Sequence, residues 1–249
     1  MADQVLDKQF LALLAAIDML KHRRARVGNQ AQGLFTAVTA AGQLNALAQA
    51  DQITFLQIEQ RPAVNDGMHN DQVRVILITA EGRGFCAGKD RDDPPTDGFV
   101  QTLQTLASGL LQGPKPVIAA VQGWAVGAGF ELALGCDLIV AGTDARFKLP
   151  ETPLGLPATG GIHMLLPSIV GTSRAKGLLW LGQEIHAAQA HQWGIVWELA
   201  EPADLRERAL ALAQTLAALP TEALVRVKRL VHAEHLPDVP AALGRESRP

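Results

Sequence analysis

Residues 73–79, Val-Arg-Val-Ile-Leu-Ile-Thr, form a β-branched run of the kind a strand buried on both faces requires. Residues 117–121, Val-Ile-Ala-Ala-Val, repeat that pattern, and 138–141 and 145–149 are shorter strand candidates. Residues 53–59 alternate and end at Arg61-Pro62, which predicts another strand. Residues 34–39 suit a short edge strand, and 44–50 read as helix or linker. Elsewhere the spacing is helical. Leu6, Phe10, Leu13, Ile17 and Leu20 share one face of an N-terminal helix. Further helices are expected over 100–111, 130–136, 162–170, 174–182, 187–193, 203–219 and 221–233. Short strands separated by glycine turns, followed by a mostly helical part, predict an α/β core with helical trim. The expected division is an N-terminal helical segment over 1–51, a core over 52–196 and a short helical C-terminal region over 197–249.

With 249 residues and 48% hydrophobic side chains, the chain can bury a sizeable core. Lysine plus arginine number 22 against 25 acidic residues, a net charge of −3, which argues against nucleic acid or an anionic membrane as partner. Tyrosine is absent and aromatics make up 4%, too few for base-stacking platforms. Cys86 and Cys136 are too few for a disulfide framework and lack metal-ligand spacing, so a reducing cytoplasm fits, with no metal. Residues 10–20 resemble the core of a secretory leader, but Asp7 and Lys8 precede them and Asp18 interrupts them. The amphipathic-helix reading is preferred, and no segment is long and apolar enough to span a bilayer.

Two glycine-rich turns carry the candidate chemistry: Gly84-Phe85-Cys86-Ala87-Gly88-Lys89-Asp90, and Gly123-Trp124-Ala125-Val126-Gly127-Ala128-Gly129-Phe130-Glu131. Glycine lets backbone approach a ligand closely, and two such turns face to face would offer N–H groups to a developing oxyanion. The rival reading of the second turn is a dinucleotide fingerprint. Gly127-x-Gly129 would then require glycine or alanine where Leu132 stands, and the flanking βαβ unit is lacking.

Taken in order, these segments resemble the enoyl-CoA hydratase (crotonase) family. FCAGKD at 85–90, GWAVGAGFELALGCD at 123–137 and ARFKLPETPLGLPATGG at 145–161 match three family signatures, and GQEIHAAQAHQWGIV up to Val196 is a softer fourth. The resemblance implies a spiral of ββα turns with helices C-terminal to it, and an acyl-CoA thioester as the bound partner. It implies backbone N–H groups of Lys89 and Ala128 as the oxyanion hole, Ala128 standing where the family has glycine. Cys86, Ala87, Gly88, Asp90, Gly127 and Gly129 would line the substrate. Glu131 and Glu151 match the two family glutamates, and keeping both favours hydration of a 2-enoyl-CoA. No cofactor is implied beyond the coenzyme A of the substrate, and a homotrimer or hexamer is the family's usual assembly.

Two carboxylates sharing one water can divide its deprotonation and the protonation of C2 if their pKa values are held apart. Taken alone, each glutamate has a plainer reading: Glu131 as a first-turn helix residue favoured by the macrodipole, Glu151 as a solvated loop residue. The alternatives within the family are an isomerase or another enolate-forming acyl-CoA enzyme. From another class, a non-catalytic acyl-CoA-binding relative remains open. Cys86 reads as packing, not as a nucleophile, and Trp124 and Phe130 as core. His163 reads as a helix-surface residue with the acyl pocket as the alternative, and Lys89 to Asp93 as a solvated loop or a contact to the CoA phosphates.

The chain departs from the family order. The family's long helix before the strand at 73–79 is missing from its place, and a similar segment opens the chain, with Leu44-Asn45-Ala46-Leu47 likewise upstream. The expectation is that the N-terminal helix packs on the spiral where the family helix would.

Overall fold

The structure is a computed structural model, and it describes residues 32–39, 44–45, 73–88, 97–236 and 238–246. The expected N-terminal helix, its packing on the spiral, and the strand at 53–59 lie outside the described residues.

Strands β1 (Gln32–Thr39), β2 (Leu44–Asn45), β3 (Val73–Glu81), β4 (Val117–Val121), β6 (Leu138–Gly142) and β9 (Glu198–Ala200) form one sheet in the order β2-β1-β3-β4-β6-β9. β3, β4, β6 and β9 are parallel, whereas β1 runs antiparallel to β3 from Gln32 opposite Glu81 to Thr39 opposite Val73. β1 is therefore not an edge strand. The edge is β2, paired with Ala37 and Val38, where the sequence suggested helix or linker. A two-residue strand has no periodicity to read.

A second sheet contains β5 (Trp124–Val126), β7 (Arg146–Lys148) and β8 (Ile185–His186), with β7 in the middle. β5 lies inside the segment expected as a glycine turn. Its pairing explains it: Cys86 N–H donates to Trp124 O at 3.0 Å and Val126 N–H to Cys86 O at 2.9 Å.

Helices α1 (Asp97–Gln112), α2 (Ala128–Leu134), α3 (Ile162–Val170), α4 (Thr172–Leu181), α5 (Ala187–Gln192), α6 (Leu205–Ala217), α7 (Thr221–His235) and α8 (Val239–Glu246) surround these strands. β4 and most of β3 and β6 are buried on both faces, which explains their apolar runs, whereas β9 at the far edge is half-buried. Ile76, Ile78, Val117, Ala119 and Ile139 share one core cluster with residues of α1, α2 and α3. Val75, Leu77, Ile118, Ala120 and Val140 belong to the opposite cluster with Leu205, Ala209, Ala213 and Ala217 of α6. Alanines four residues apart place one small stripe of α6 against the sheet.

α7 is tied down by a buried cation. Lys228 Nζ donates to Leu110 O at 2.6 Å, Lys115 O at 3.3 Å and Asp137 Oδ2 at 2.8 Å. Asp137 Oδ2 also accepts the Val117 N–H at 2.7 Å, so one carboxylate joins α7 to the start of β4. Phe130 is core at 1% exposure, as expected, but Trp124 is 39% exposed and carries the Arg146 guanidinium 5.5 Å from its ring centroid. Trp124 alternates with Ala125 on β5, so burying Ala125 turns the indole outward.

Candidate active site

The two glycine turns meet backbone to backbone. Gly129 lies so close to the first turn that a β-carbon on it would stand 2.3 Å from Cys86 O. Gly88, at φ +76°, is equally constrained: a β-carbon there would stand 2.5 Å from Val126 O and 3.5 Å from Ala128 N. Only glycine fits either place, and Gly88 is thereby held beside the Gly127–Ala128 peptide. Gly127 N–H donates to Lys148 O at 2.9 Å, while Gly127 O accepts from Phe130 and Glu131 at 2.8 and 2.9 Å. Ala128 is the first residue of α2, so its N–H is one of those a helix leaves without an intrahelical partner. Ala87 is exposed, Gly88 half-buried and Ala128 buried. Lys89 and Asp90 lie outside the described residues, as do 91–93.

Glu131 projects from α2 and is only 3% exposed. Gly160 N–H donates to its Oε2. Burial pushes its pKa up to about 8, helped by the charge of Glu151 and, more weakly, of Glu246, against hydrogen bonds from Gly160 and Thr159. This is not a solvated first-turn residue.

Glu151 is not a solvated loop residue either. Its carbonyl accepts the N–H groups of Leu154 and Leu156 at 2.9 and 3.0 Å, which fixes it at the start of the 3-10 turn Thr152–Leu154. Its Oε1 points at Gly127, and its Oε2 is buried with no hydrogen-bond partner among the described residues. Burial raises its pKa, opposed by its own backbone N–H and by His163. An unpartnered buried polar atom costs about 1–3 kcal/mol, which packing alone does not justify. Glu131 and Glu151 thus share one electrostatic environment at the junction of the two turns.

Sequence reasoning missed a third carboxylate. Glu246, on α8, accepts Gly161 N–H at 2.8 Å on Oε2 and His163 N–H at 3.1 Å on Oε1, and its side chain is 5% exposed. A glutamate near the end of a helix carries no signal that distinguishes it from a solvated one. His163 is half-exposed, as a helix-surface residue should be, but its Nδ1 lies 3.0 Å from Glu246 Oε1. It also lines a cleft of about 680 Å³ with Leu156, Pro167, Lys176, Leu179 and Trp180. That cleft adjoins Glu151 through Thr152 but does not include either Glu131 or Glu151.

Cys86 is 5% exposed, and burial raises its thiol pKa, which accords with packing. Among the described residues, no group of three His, Cys, Asp or Glu side chains could hold a metal ion.

The sequence pattern of the enoyl-CoA hydratase/isomerase family matches residues 43–248. The chain belongs to the enoyl-CoA hydratase/isomerase family. It is 36% identical over 202 residues to a 1,2-epoxyphenylacetyl-CoA isomerase of Escherichia coli (strain K12), covering 72% of this chain and 77% of that one. It is 40% identical over 180 residues to the 2,3-dehydroadipyl-CoA hydratase of the same organism, covering 70% of each. The crystal structure of an enoyl-CoA hydratase from Mycobacterium avium subsp. paratuberculosis K-10 superposes with a TM-score of 0.70 at 31% identity, over 74% of this chain and 76% of that one. The fold is that of the crotonase family, with parallel strands in the core and helices towards the C-terminus. Binding of an acyl-CoA accords with the family; relatives named as hydratases and as isomerases both resemble this chain.

Proposed function

We propose that this chain hydrates a 2-enoyl-CoA by syn addition of water. The observation that carries the reading is the pair of carboxylates with raised pKa values, buried Glu131 and half-buried Glu151, beside the Gly127–Ala128 turn. Ala128 and Lys89 would donate their N–H groups to the thioester oxygen. Glu151, as carboxylate, takes a proton from water while the water oxygen bonds to C3. The C2–C3 π electrons move onto the thioester oxygen as an enolate, and C2 then takes a proton from neutral Glu131. The pair ends with its proton moved from Glu131 to Glu151, and exchange through water resets it. No cofactor is needed, since the coenzyme A belongs to the substrate.

Hydrogen bonds aimed at the oxyanion and positioned acid–base groups each contribute about 10²–10³-fold or more in such sites. The test is loss of enoyl absorbance on incubation with crotonyl-CoA. Wild type should hydrate it, and Glu131→Gln should be slower by about 10²–10⁴-fold. An unaffected Glu131→Gln rate would dismiss the assignment.

Isomerisation is the second reading, favoured by the resemblance to the 1,2-epoxyphenylacetyl-CoA isomerase. An enzyme that turned over a 3-enoyl-CoA but not crotonyl-CoA would establish it. Tight crotonyl-CoA binding without turnover of either would instead identify a non-catalytic acyl-CoA-binding relative. A homo-oligomer, trimer or hexamer, is the proposed assembly. Exposed Leu154, Leu156, Trp180 and Leu181 near the His163 cleft supply apolar surface for it, and sedimentation would measure it.

A further inference from the structure

Gly160 and Gly161 are consecutive, and their peptide N–H groups end on two different carboxylates. Gly160 N–H donates to Glu131 Oε2, and Gly161 N–H donates to Glu246 Oε2 at 2.8 Å. A β-carbon on Gly160 would stand 2.8 Å from Glu131 Oε2 and 3.0 Å from Leu103 Cγ, so this residue lies closely between α1 and the site. Gly161 follows at φ +89°, in the left-handed region. Two adjacent glycines make a pliable link, and neither has a side chain with which to hold itself.

What holds the link comes from α8, with Glu246 85 positions further along the chain than Gly161. The Glu246 carboxylate accepts three N–H groups: the Gly161 backbone at 2.8 Å, the His163 backbone at 3.1 Å and the His163 ring, through Nδ1, at 3.0 Å. The ring contact requires only a hydrogen on Nδ1, which a neutral imidazole supplies. α8 is itself seated, for Val239, Ala242 and Leu243 are buried and Gln104 Nε2 of α1 donates to Leu243 O at 2.8 Å. A β-carbon on Gly161 would stand 3.4 Å from Leu243 Cδ2, so the helix that delivers Glu246 also packs on the glycine pair.

The simplest role for Glu246 is to cap α3, whose N-cap residue Gly161 has no side chain. The peptide that it caps has a second consequence. The plane that carries Gly161 N–H also carries the α-carbon and carbonyl of Gly160. Turning that plane therefore moves Gly160 against Glu131.

We propose that Glu246 is a positioning residue of the site, fixing the Gly160–Gly161 peptide so that Gly160 N–H stays on Glu131. The proposal rests on the reading of Glu131 as a residue of the reaction and names what holds it in register. Reacting groups must be held close to their productive geometry, and a buried donor on the carboxylate does this only if its own backbone is fixed. Glu246 acts through that backbone and need not touch substrate.

Glu246→Ala removes the acceptor oxygens, whereas Glu246→Gln keeps the shape and one of them. Backbone amide hydrogen exchange, resolved by residue with nitrogen-15 NMR, follows the turn without needing turnover. In Glu246→Ala the Gly161 and His163 amides should exchange about tenfold faster, as expected for a lost cap, and the Gly160 amide should quicken with them. The amides of β3 and β4 should keep their wild-type rates. On crotonyl-CoA, kcat should fall by about ten- to a hundredfold with KM within about twofold of wild type, the pattern of lost alignment and not of lost binding. Glu246→Gln should recover part of both effects. Faster exchange at Gly161 and His163, with the Gly160 amide and kcat unchanged, would reduce Glu246 to a helix cap and overturn the proposal. Should Glu246→Ala fail to fold, Glu246→Gln decides by the same two readouts, and wild-type values for the Gly160 amide and kcat overturn it. Absence of hydration by wild type would sink the reading of function, while the Gly160 amide would still judge the positioning role.

Discussion

The carboxylate of Glu151 sits against Gly127, so close that a β-carbon at Gly127 would lie 2.4 Å from Oε1. Gly127 itself adopts φ 53° and ψ −124°, a conformation almost confined to glycine. One residue therefore shapes the turn before Ala128 and receives a site carboxylate.

Gly127→Ala should consequently harm the site more than the fold. The backbone strain is worth about 1–3 kcal/mol, a modest loss that a denaturant midpoint would register. The added methyl must also displace Glu151, so turnover of crotonyl-CoA should fall by at least about 10²-fold. A variant with wild-type turnover and reduced stability would show that Glu151 does not act from this position.

Glu131 makes the protein's stability depend on pH in an unusual direction. Its folded pKa, about 8, lies above the ordinary value of 4.5, so the folded state holds a proton that the unfolded state has released. Its contribution is fully present below pH 4.5 and is lost as pH rises through about 8. Glu131→Gln keeps a neutral side chain of the same shape in both states and removes this dependence. Its unfolding midpoint should therefore rise relative to wild type as pH climbs through that window, by an amount worth a few kcal/mol at most. Equal midpoints for the two proteins across the window would show that Glu131 ionises normally in the folded state.

Much of this arrangement was legible in the sequence, for a physical reason. Gly88 and Gly129 are constrained by close backbone approach and Gly127 by its positive φ and the Glu151 side chain, and such constraint leaves a mark on residue type. The buried strands β3, β4 and β6 show as continuous apolar runs for the same reason. Glu131 and Glu151 became candidates through the family signatures around them, not through any property of a lone glutamate. Glu246 and its link to His163 were invisible, because a contact between α3 and α8 is set by how the helices dock. Strands β2, β5 and β8 of two or three residues are likewise too short for periodicity, and their pairing partners define them.

Lys228 offers a test of the helical trim. Its side chain is 7% exposed, and it satisfies two carbonyls and the Asp137 carboxylate at once. Lys228→Met leaves that carboxylate without its cation, which should destabilise the fold by about 3–5 kcal/mol. Asp137→Asn added to Lys228→Met removes the stranded charge while an amide oxygen still accepts the Val117 N–H, so the double variant should recover part of the loss. A denaturant series on the single and double variants measures both. Additive losses would mean that Lys228 and Asp137 are not energetically coupled.

Cys86 and Cys136 give a readout of how firmly the two glycine turns are locked. Both thiols are buried and both have pKa values raised by burial, which suppresses the reactive thiolate. Neither should react with an aromatic disulfide reagent in the folded protein, and both should react once denaturant is added. Cys86 is the more informative, because its backbone carries the hydrogen bonds that join the first turn to β5. If the turns form a rigid unit, Cys86 should be labelled only as fast as the whole domain unfolds, and together with Cys136. Faster labelling of Cys86 alone would mean that the first turn detaches from β5 within the folded protein, so that the N–H donors of the two turns are brought together only part of the time.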